Sequence, residues 1–154
     1  MKWIVRGLLV SGLVLASARL GLAASCAVDD PDGTKVACAR ATAETNCHTA
    51  GTGCNDPGVN HGTYVSCIAD QANQLSSGTN PPLPKSCKGK VKRCAAKSRC
   101  GKPGFVTCCI PTSTTPKCKI KNESTDQQKC ENAGGTDGTA TSCCDACSTP
   151  PTCP

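Results

Sequence analysis

Gly62-Thr63-Tyr64-Val65-Ser66-Cys67-Ile68-Ala69-Asp70-Gln71-Ala72-Asn73-Gln74-Leu75-Ser76 runs into the break Ser77-Gly78-Thr79-Asn80-Pro81-Pro82. After it comes Ser86-Cys87-Lys88-Gly89-Lys90-Val91-Lys92-Arg93-Cys94-Ala95-Ala96-Lys97-Ser98-Arg99. At about 100° per residue, Tyr64, Val65, Ile68, Ala69, Ala72 and Leu75 fall within one arc, which predicts a helix over 64–76. Glycine, asparagine and two prolines then stop it. In the second run Cys87, Val91, Cys94, Ala95 and Ser98 share an arc of roughly 100°, flanked on both sides by lysine and arginine. This predicts a helix over 86–99, with Gly101 as its C-terminal stop. Two helices joined by a short Pro/Gly break make a helical hairpin over 62–101.

The sequence on either side has a different character. Residues 25–61 are rich in Gly, Asp, Asn and Thr, and a brief helical hint near 37–45 is the only periodic signal, so this segment reads as a looped, disulfide-tied lead-in. Downstream, 102–154 contains strand-like runs at 105–110, 117–120 and 139–144, and one or two helical turns at 126–132. The expected fold is a small disulfide-rich α+β protein: looped lead-in, central helical hairpin and a short-stranded Cys-rich C-terminal part. A G-T-x-x-S-C pattern occurs at Gly62 and again at Gly138, but the two copies fall in segments of opposite character, which favours chance similarity over a repeat.

Sixteen cysteines lie in a chain of 154 residues, all beyond residue 24. They are Cys26, Cys38, Cys47, Cys54, Cys67, Cys87, Cys94, Cys100, Cys108, Cys109, Cys118, Cys130, Cys143, Cys144, Cys147 and Cys153. Residues 1–24 read as an export signal: Lys2 and Arg6 precede a nine-residue apolar stretch, 7–15, too short to span a bilayer. Cleavage after 18, 23 or 24 satisfies the small-residue rule. Ala23-Ala24-Ser25-Cys26 also resembles a bacterial lipobox, but it lacks the leucine three residues before the cysteine, and lipid on Cys26 would leave an odd number of thiols. The expected location is therefore extracellular or periplasmic, with no transmembrane anchor after processing and a lipoprotein as the minor alternative.

From Ser25 onward only twelve residues are Ile, Leu, Val or Phe, about 9%, well under the roughly 20% below which a charged chain reads as disordered. Ordering a backbone costs about 1 to 2 kcal/mol per residue. With so few apolar side chains, the cysteines must offset that cost as disulfides. In an oxidising compartment thiols pair, and an even count allows up to eight bonds. The connectivity cannot be deduced from spacing. The doublets Cys108-Cys109 and Cys143-Cys144 are informative nonetheless. Neighbouring side chains on a strand point to opposite faces, so each doublet should bond in two directions.

Metal binding is the competing reading. There is no Cys-x-Cys pair of the metallothionein kind, and a zinc ribbon wants two Cys-x-x-Cys knuckles where the chain has one, Cys144-Asp145-Ala146-Cys147. As a redox motif that pair would need its first thiol at a helix N-terminus after a strand. Instead a cysteine precedes it and Ser148-Thr149-Pro150-Pro151 follows, which favours structural disulfides. Asp29, Asp30 and Asp32 before Gly33 suggest a calcium loop, but the spacing and the missing distal glutamate fail the EF-hand pattern, leaving a solvated turn. No metal or other cofactor is expected.

The run His61-Gly62-Thr63-Tyr64-Val65-Ser66-Cys67-Ile68-Ala69, with Lys88-Gly89-Lys90-Val91, Cys94-Ala95-Ala96-Lys97-Ser98 and Gly101-Lys102, resembles a motif of uncharacterised bacterial secreted proteins. It covers about 40 residues, and Pro103-Gly104-Phe105-Val106-Thr107-Cys108-Cys109 is similar to a Cys-rich subset of the group. The resemblance implies export and a helical hairpin and carries no activity.

Charge is uneven. Residues 25–84 hold two basic and six acidic groups, whereas 85–154 hold twelve basic and five acidic. Lys88, Lys90, Lys92, Arg93, Lys97 and Arg99, with Lys85 and Lys102, form a run without an acid. They are candidate contacts for anionic lipid or acidic polysaccharide. Nucleic acid is not expected, because no aromatic side chain interleaves these charges to stack on bases. The bland alternative is that the cations solvate a helix or neutralise the acidic lead-in. No catalytic constellation stands out. The best enzyme candidates are Cys47 with His48, His61, Asp56 and Asp70, but a Cys/His nucleophile needs a free thiol. The expected function is non-enzymatic, structural or adhesive, with a toxin or protease inhibitor presenting the turn 111–116 as the alternative. Asn122-Glu123-Ser124 is a glycosylation sequon. Oligomeric state is not legible.

Overall fold

The computed structural model describes residues 25–113, 116–138 and 140–147. The expected export signal at 1–24, Cys153 and the centre of the 111–116 turn lie outside them. The elements are α1 (Cys26–Asp29), α2 (Thr34–Thr49), α3 (His61–Leu75), a 3-10 turn (Lys85–Cys87) leading into α4 (Lys88–Ala96), β1 (Phe105–Ile110), β2 (Lys117–Asn122), α5 (Glu123–Asn132) and β3 (Thr136–Gly138). This is the expected disulfide-rich α+β class.

The lead-in is not a loop. Residues 34–49 form a four-turn helix, α2, whose buried face is Val36, Ala39, Ala43 and Cys47. Alanine has the best helix propensity but little hydrophobic contrast, so a face built from it leaves almost no periodic signal. Of the three aspartates before it, Asp32 sits in an exposed bend as expected of a solvated turn, but Asp30 does not. Asp30 is buried, and its carboxylate accepts the backbone N–H of Lys35 at 3.0 Å and of Val36 at 2.9 Å. Asp32 accepts the N–H of Thr34 at 3.0 Å, which holds its carboxyl below the usual range. Together they satisfy donors that a helix N-terminus leaves unpaired.

The helical hairpin is present, with shifted ends. Helix α3 begins three residues earlier than its apolar arc, because Asn60 caps it by accepting the N–H of Thr63. The second helix stops at Ala96. Beyond it the chain turns extended, with Arg99 donating its N–H to Thr141 and Lys97 accepting the N–H of Cys143. Gly101 therefore caps no helix. Its φ of 64° is in the left-handed region, and a Cβ there would lie 2.4 Å from the backbone at Asn60 and His61, so only glycine fits.

In the three-stranded sheet β1 is central, antiparallel to β2 with Cys109 opposite Cys118 and to β3 with Thr107 opposite Gly138. The strand expected at 139–144 is displaced. Pairing is confined to Thr136–Gly138, after which Ser142 makes an isolated bridge to Ser98 and 143–147 turn. Helix α5 is capped by Asn122, whose side chain accepts the N–H of Ser124, so the sequon asparagine is a helix cap. The first G-T-x-x-S-C copy is helical, whereas the described residues of the second include the end of β3, the Ser142 bridge and a turn at Cys143.

Apolar packing is concentrated in the helical part. Val36, Tyr64, Ile68, Leu83 and Val91, with alanines and half-cystines, form a small core, more than the apolar count alone suggested. In the sheet the fully buried residues are Thr107, Cys108 and, on α5, Cys130. Disulfides take the place of a core there. Seven bonds join described cysteines: Cys26–Cys87, Cys47–Cys67, Cys54–Cys100, Cys94–Cys144, Cys108–Cys130, Cys109–Cys147 and Cys118–Cys143. Cys38 is bonded as well, and no described cysteine is free. Both doublets bond in two directions. Cys108 reaches α5 and Cys109 the C-terminal turn, while from that turn Cys143 reaches β2 and Cys144 reaches α4. So many disulfides belong to an oxidising, extracellular-type environment. No described helix is long and apolar enough to cross a membrane.

Candidate functional site

Helix α4 sorts its residues by face. Val91, Cys94 and Ala95 are buried, while Lys90, Arg93 and Lys97, three and four residues apart, are exposed on one stripe. The stripe is held rigid by Cys26–Cys87 at the helix start and by Cys94–Cys144 within it. The sequence run of cations does not form a single surface. Lys92 is half-buried and donates to Asn73 on α3 at 3.0 Å, and Arg99 and Lys102 turn into a separate cleft shared with Asp56 and Glu123. Lys88 flanks the stripe.

Among the described residues, the acids of the lead-in form no ion pair with Lys90, Arg93 or Lys97. Asp29 accepts from Ser86, Asp30 and Asp32 cap α2, and Asp56 accepts from His48 and Gly53. The ion pairs among the described residues are Arg40–Asp145, His48–Asp56 and Lys129–Asp126; none takes a cation from α4.

Of the enzyme candidates, the fold brings two together. His48 Nδ1 lies 2.5 Å from Asp56 Oδ1, and Asp56 Oδ2 accepts the N–H of Gly53 at 2.6 Å. Asp56 is nearly enclosed while the imidazole is 75% exposed. Cys47, beside it in sequence, is buried in a disulfide and offers no nucleophile. His61 is elsewhere, its Nδ1–H donating to the Cys100 carbonyl at 2.9 Å, and Asp70 is exposed on α3 with no bond to either histidine. Cys144 and Cys147 bond to Cys94 and Cys109, not to each other, so the Cys-x-x-Cys pair is structural. Cys26, Asp30 and Cys87 lie within reach of a common point. The two sulfurs are bonded together and the carboxylate is occupied by backbone donors, so the chemistry of the set does not suit a metal.

Sequence reasoning missed a groove of about 620 Å³ between α2, α3, α4 and the C-terminal turn. Ala37, Ala41, Ile68, Val91 and Ala95 line its apolar walls, and Arg40, Glu44, Asn55, Tyr64, Ser142 and Asp145 supply polar groups. Both guanidinium nitrogens of Arg40 donate to Asp145, and one also reaches the Ser142 hydroxyl. Glu44 Oε1 accepts the N–H of Cys54 at 2.7 Å. Burial first, then the charge of the neighbouring Glu44 carboxylate, pushes the Tyr64 phenol's pKa well up. The signal that could have pointed here is Arg40-Glu44-His48 at intervals of four, a polar row beside a buried face.

The chain matches no family model, no curated protein and no solved structure.

Proposed function

We propose that this is a secreted, non-enzymatic binding module that attaches to polyanionic surfaces, anionic lipid or acidic polysaccharide, through Lys90, Arg93 and Lys97. The observation that carries the reading is the cationic stripe of α4 and its C-cap Lys97, which has no ion-pair partner among the described residues and whose opposite face is buried and disulfide-anchored. A rigid helix presents the three charges over about 10 Å at 1.5 Å rise per residue. Each contacting cation contributes about 1 kcal/mol at an anionic surface. The stripe alone thus supplies about 3 kcal/mol, a weak attachment that becomes effective on dense polymers or with many copies engaged.

The test is adsorption to vesicles containing an anionic phospholipid, and to an acidic polysaccharide resin, across a salt series. Binding should fall steeply between low and physiological salt, where the screening length shortens to about 8 Å. Exchanging Lys90, Arg93 and Lys97 for glutamine should weaken it about 100-fold, and Lys90→Arg with Lys97→Arg should retain it. Adsorption insensitive to salt and to the triple exchange would overturn the proposal.

A further inference from the structure

We propose that the groove between α2, α3 and α4 is a second binding site, specific for a small organic cation: a primary amine carried on an aliphatic or aromatic body. Its volume of about 620 Å³ is that of a ligand pocket, and small side chains from different helices, Ala37 and Ala41 on α2 and Ala95 on α4, create the space. The apolar walls suit the body of such a ligand. The polar groups select the head.

Three charged side chains line the groove, and two of them cancel. Arg40 and Asp145 are joined through both guanidinium nitrogens, with Ser142 as a further acceptor, leaving Arg40 no strong donor for an anionic ligand. Glu44 is different. Its carboxylate accepts one neutral donor, the Cys54 N–H, and lies beside the Tyr64 phenol, and no salt bridge among the described residues involves it. The groove therefore holds one fixed, uncompensated negative charge beside apolar walls. One turn further along α2, His48 has its Nδ1 committed to Asp56, so that pair does not neutralise Glu44.

The overall positive charge of the protein does not oppose this assignment. The α4 cations point outward from the face opposite the groove, where Val91, Cys94 and Ala95 form the wall, and solvent screens them within about 8 Å at physiological salt. Glu44, by contrast, acts across a partly desolvated contact in which charge-assisted hydrogen bonds are strong.

The test uses the full oxidised protein and two matched probe sets: benzylamine against benzyl alcohol, and hexylamine against hexanol and hexanoate. The readout is the ring resonances of Tyr64, the only tyrosine. Both amines should shift these resonances in a saturable way at millimolar concentration, at least 10-fold more tightly than the alcohols or the carboxylate. Glu44→Gln keeps an acceptor for the Cys54 N–H and should remove the preference for amine over alcohol. Ala41→Leu, at an exposed rim position, should abolish binding of every probe with the melting temperature unchanged. The variant lacking Lys90, Arg93 and Lys97 charges should bind the amines as wild type does, which separates this site from surface attachment. Amines that leave Tyr64 unperturbed, alcohols that bind as well as amines, or a Glu44→Gln variant that keeps its amine preference would each overturn the assignment.

Discussion

Replacing Cys47 and Cys67 together by alanine removes the bond that clamps α2 to α3 and leaves no odd thiol to mispair. The two residues are 20 apart in sequence. The other disulfide within that span, Cys54–Cys100, offers no shorter route between them, because returning from Cys100 to Cys67 adds a longer stretch of chain. Releasing a loop of 20 residues restores about 11 cal/mol/K of unfolded-chain entropy, or about 3 kcal/mol at room temperature. The described part of the chain, 120 residues when its three spans are summed, unfolds with an entropy of about 0.25 kcal/mol/K at the per-residue average. The melting temperature should then fall by about 12 °C, read by far-UV circular dichroism with the helical signal of the folded state retained. Reducing every disulfide should go further and abolish cooperative melting altogether. A double variant that melts within about 3 °C of wild type, or a reduced protein that still melts cooperatively, would refute the reasoning that cross-links stand in for apolar burial.

Two other outcomes follow from particular side chains. Tyr64 is the only phenol, so its ionisation can be followed by ultraviolet absorbance without interference from another tyrosine. Burial and Glu44 raise its folded pKa above the ordinary value near 10, so the folded state keeps a proton that the unfolded chain releases. Its contribution to stability is full below about pH 10 and is lost as pH rises beyond. The native protein should show no phenolate signal where the denatured protein does, and Tyr64→Phe should lessen the alkaline loss of stability; a native phenol titrating near 10 would contradict this. Leu83 is fully buried in the loop between α3 and α4, its N–H bonded to the Leu75 carbonyl at 3.1 Å. Leu83→Ala should cost about 2 to 5 kcal/mol in denaturant unfolding, and a cost below about 1 kcal/mol would show that the small helical core contributes little.

What could be read in the sequence depended on contrast. Helix α3 was legible because Tyr64, Ile68 and Ala72 alternate with Asp70, Asn73 and Gln74, and β1 because Phe-Val-Thr-Cys-Cys-Ile has the composition of a strand. The opposed bonding of Cys108 and Cys109 followed from strand alternation alone. For Cys143 and Cys144 the same outcome arose differently, from a turn in which each cysteine reaches another element. Helix α2 was illegible because its buried positions are mostly alanine. The groove was illegible for a stronger reason: its charged residues are set by the Arg40–Asp145 pair, 105 residues apart, and local pattern carries no trace of such a contact. His48 and Asp56 were both visible as reactive types. Only the tight turn after α2, with Gly53 packed against the His48 backbone, joins them.

The cross-links also bear on the order in which the chain can be oxidised. Cys26–Cys87, Cys47–Cys67 and Cys54–Cys100 close entirely within the first hundred residues, so the helical part can be oxidised while the rest of the chain is still emerging. Among the cysteines of α4 and the helices before it whose partners are described, Cys94 alone bonds downstream, to Cys144. It must therefore wait as a thiol beside completed disulfides, each of which it can attack, until nearly the whole chain has been delivered. Correct pairing thus depends on Cys94 staying unpaired until Cys144 exists, which makes the order of chain delivery part of what specifies the fold.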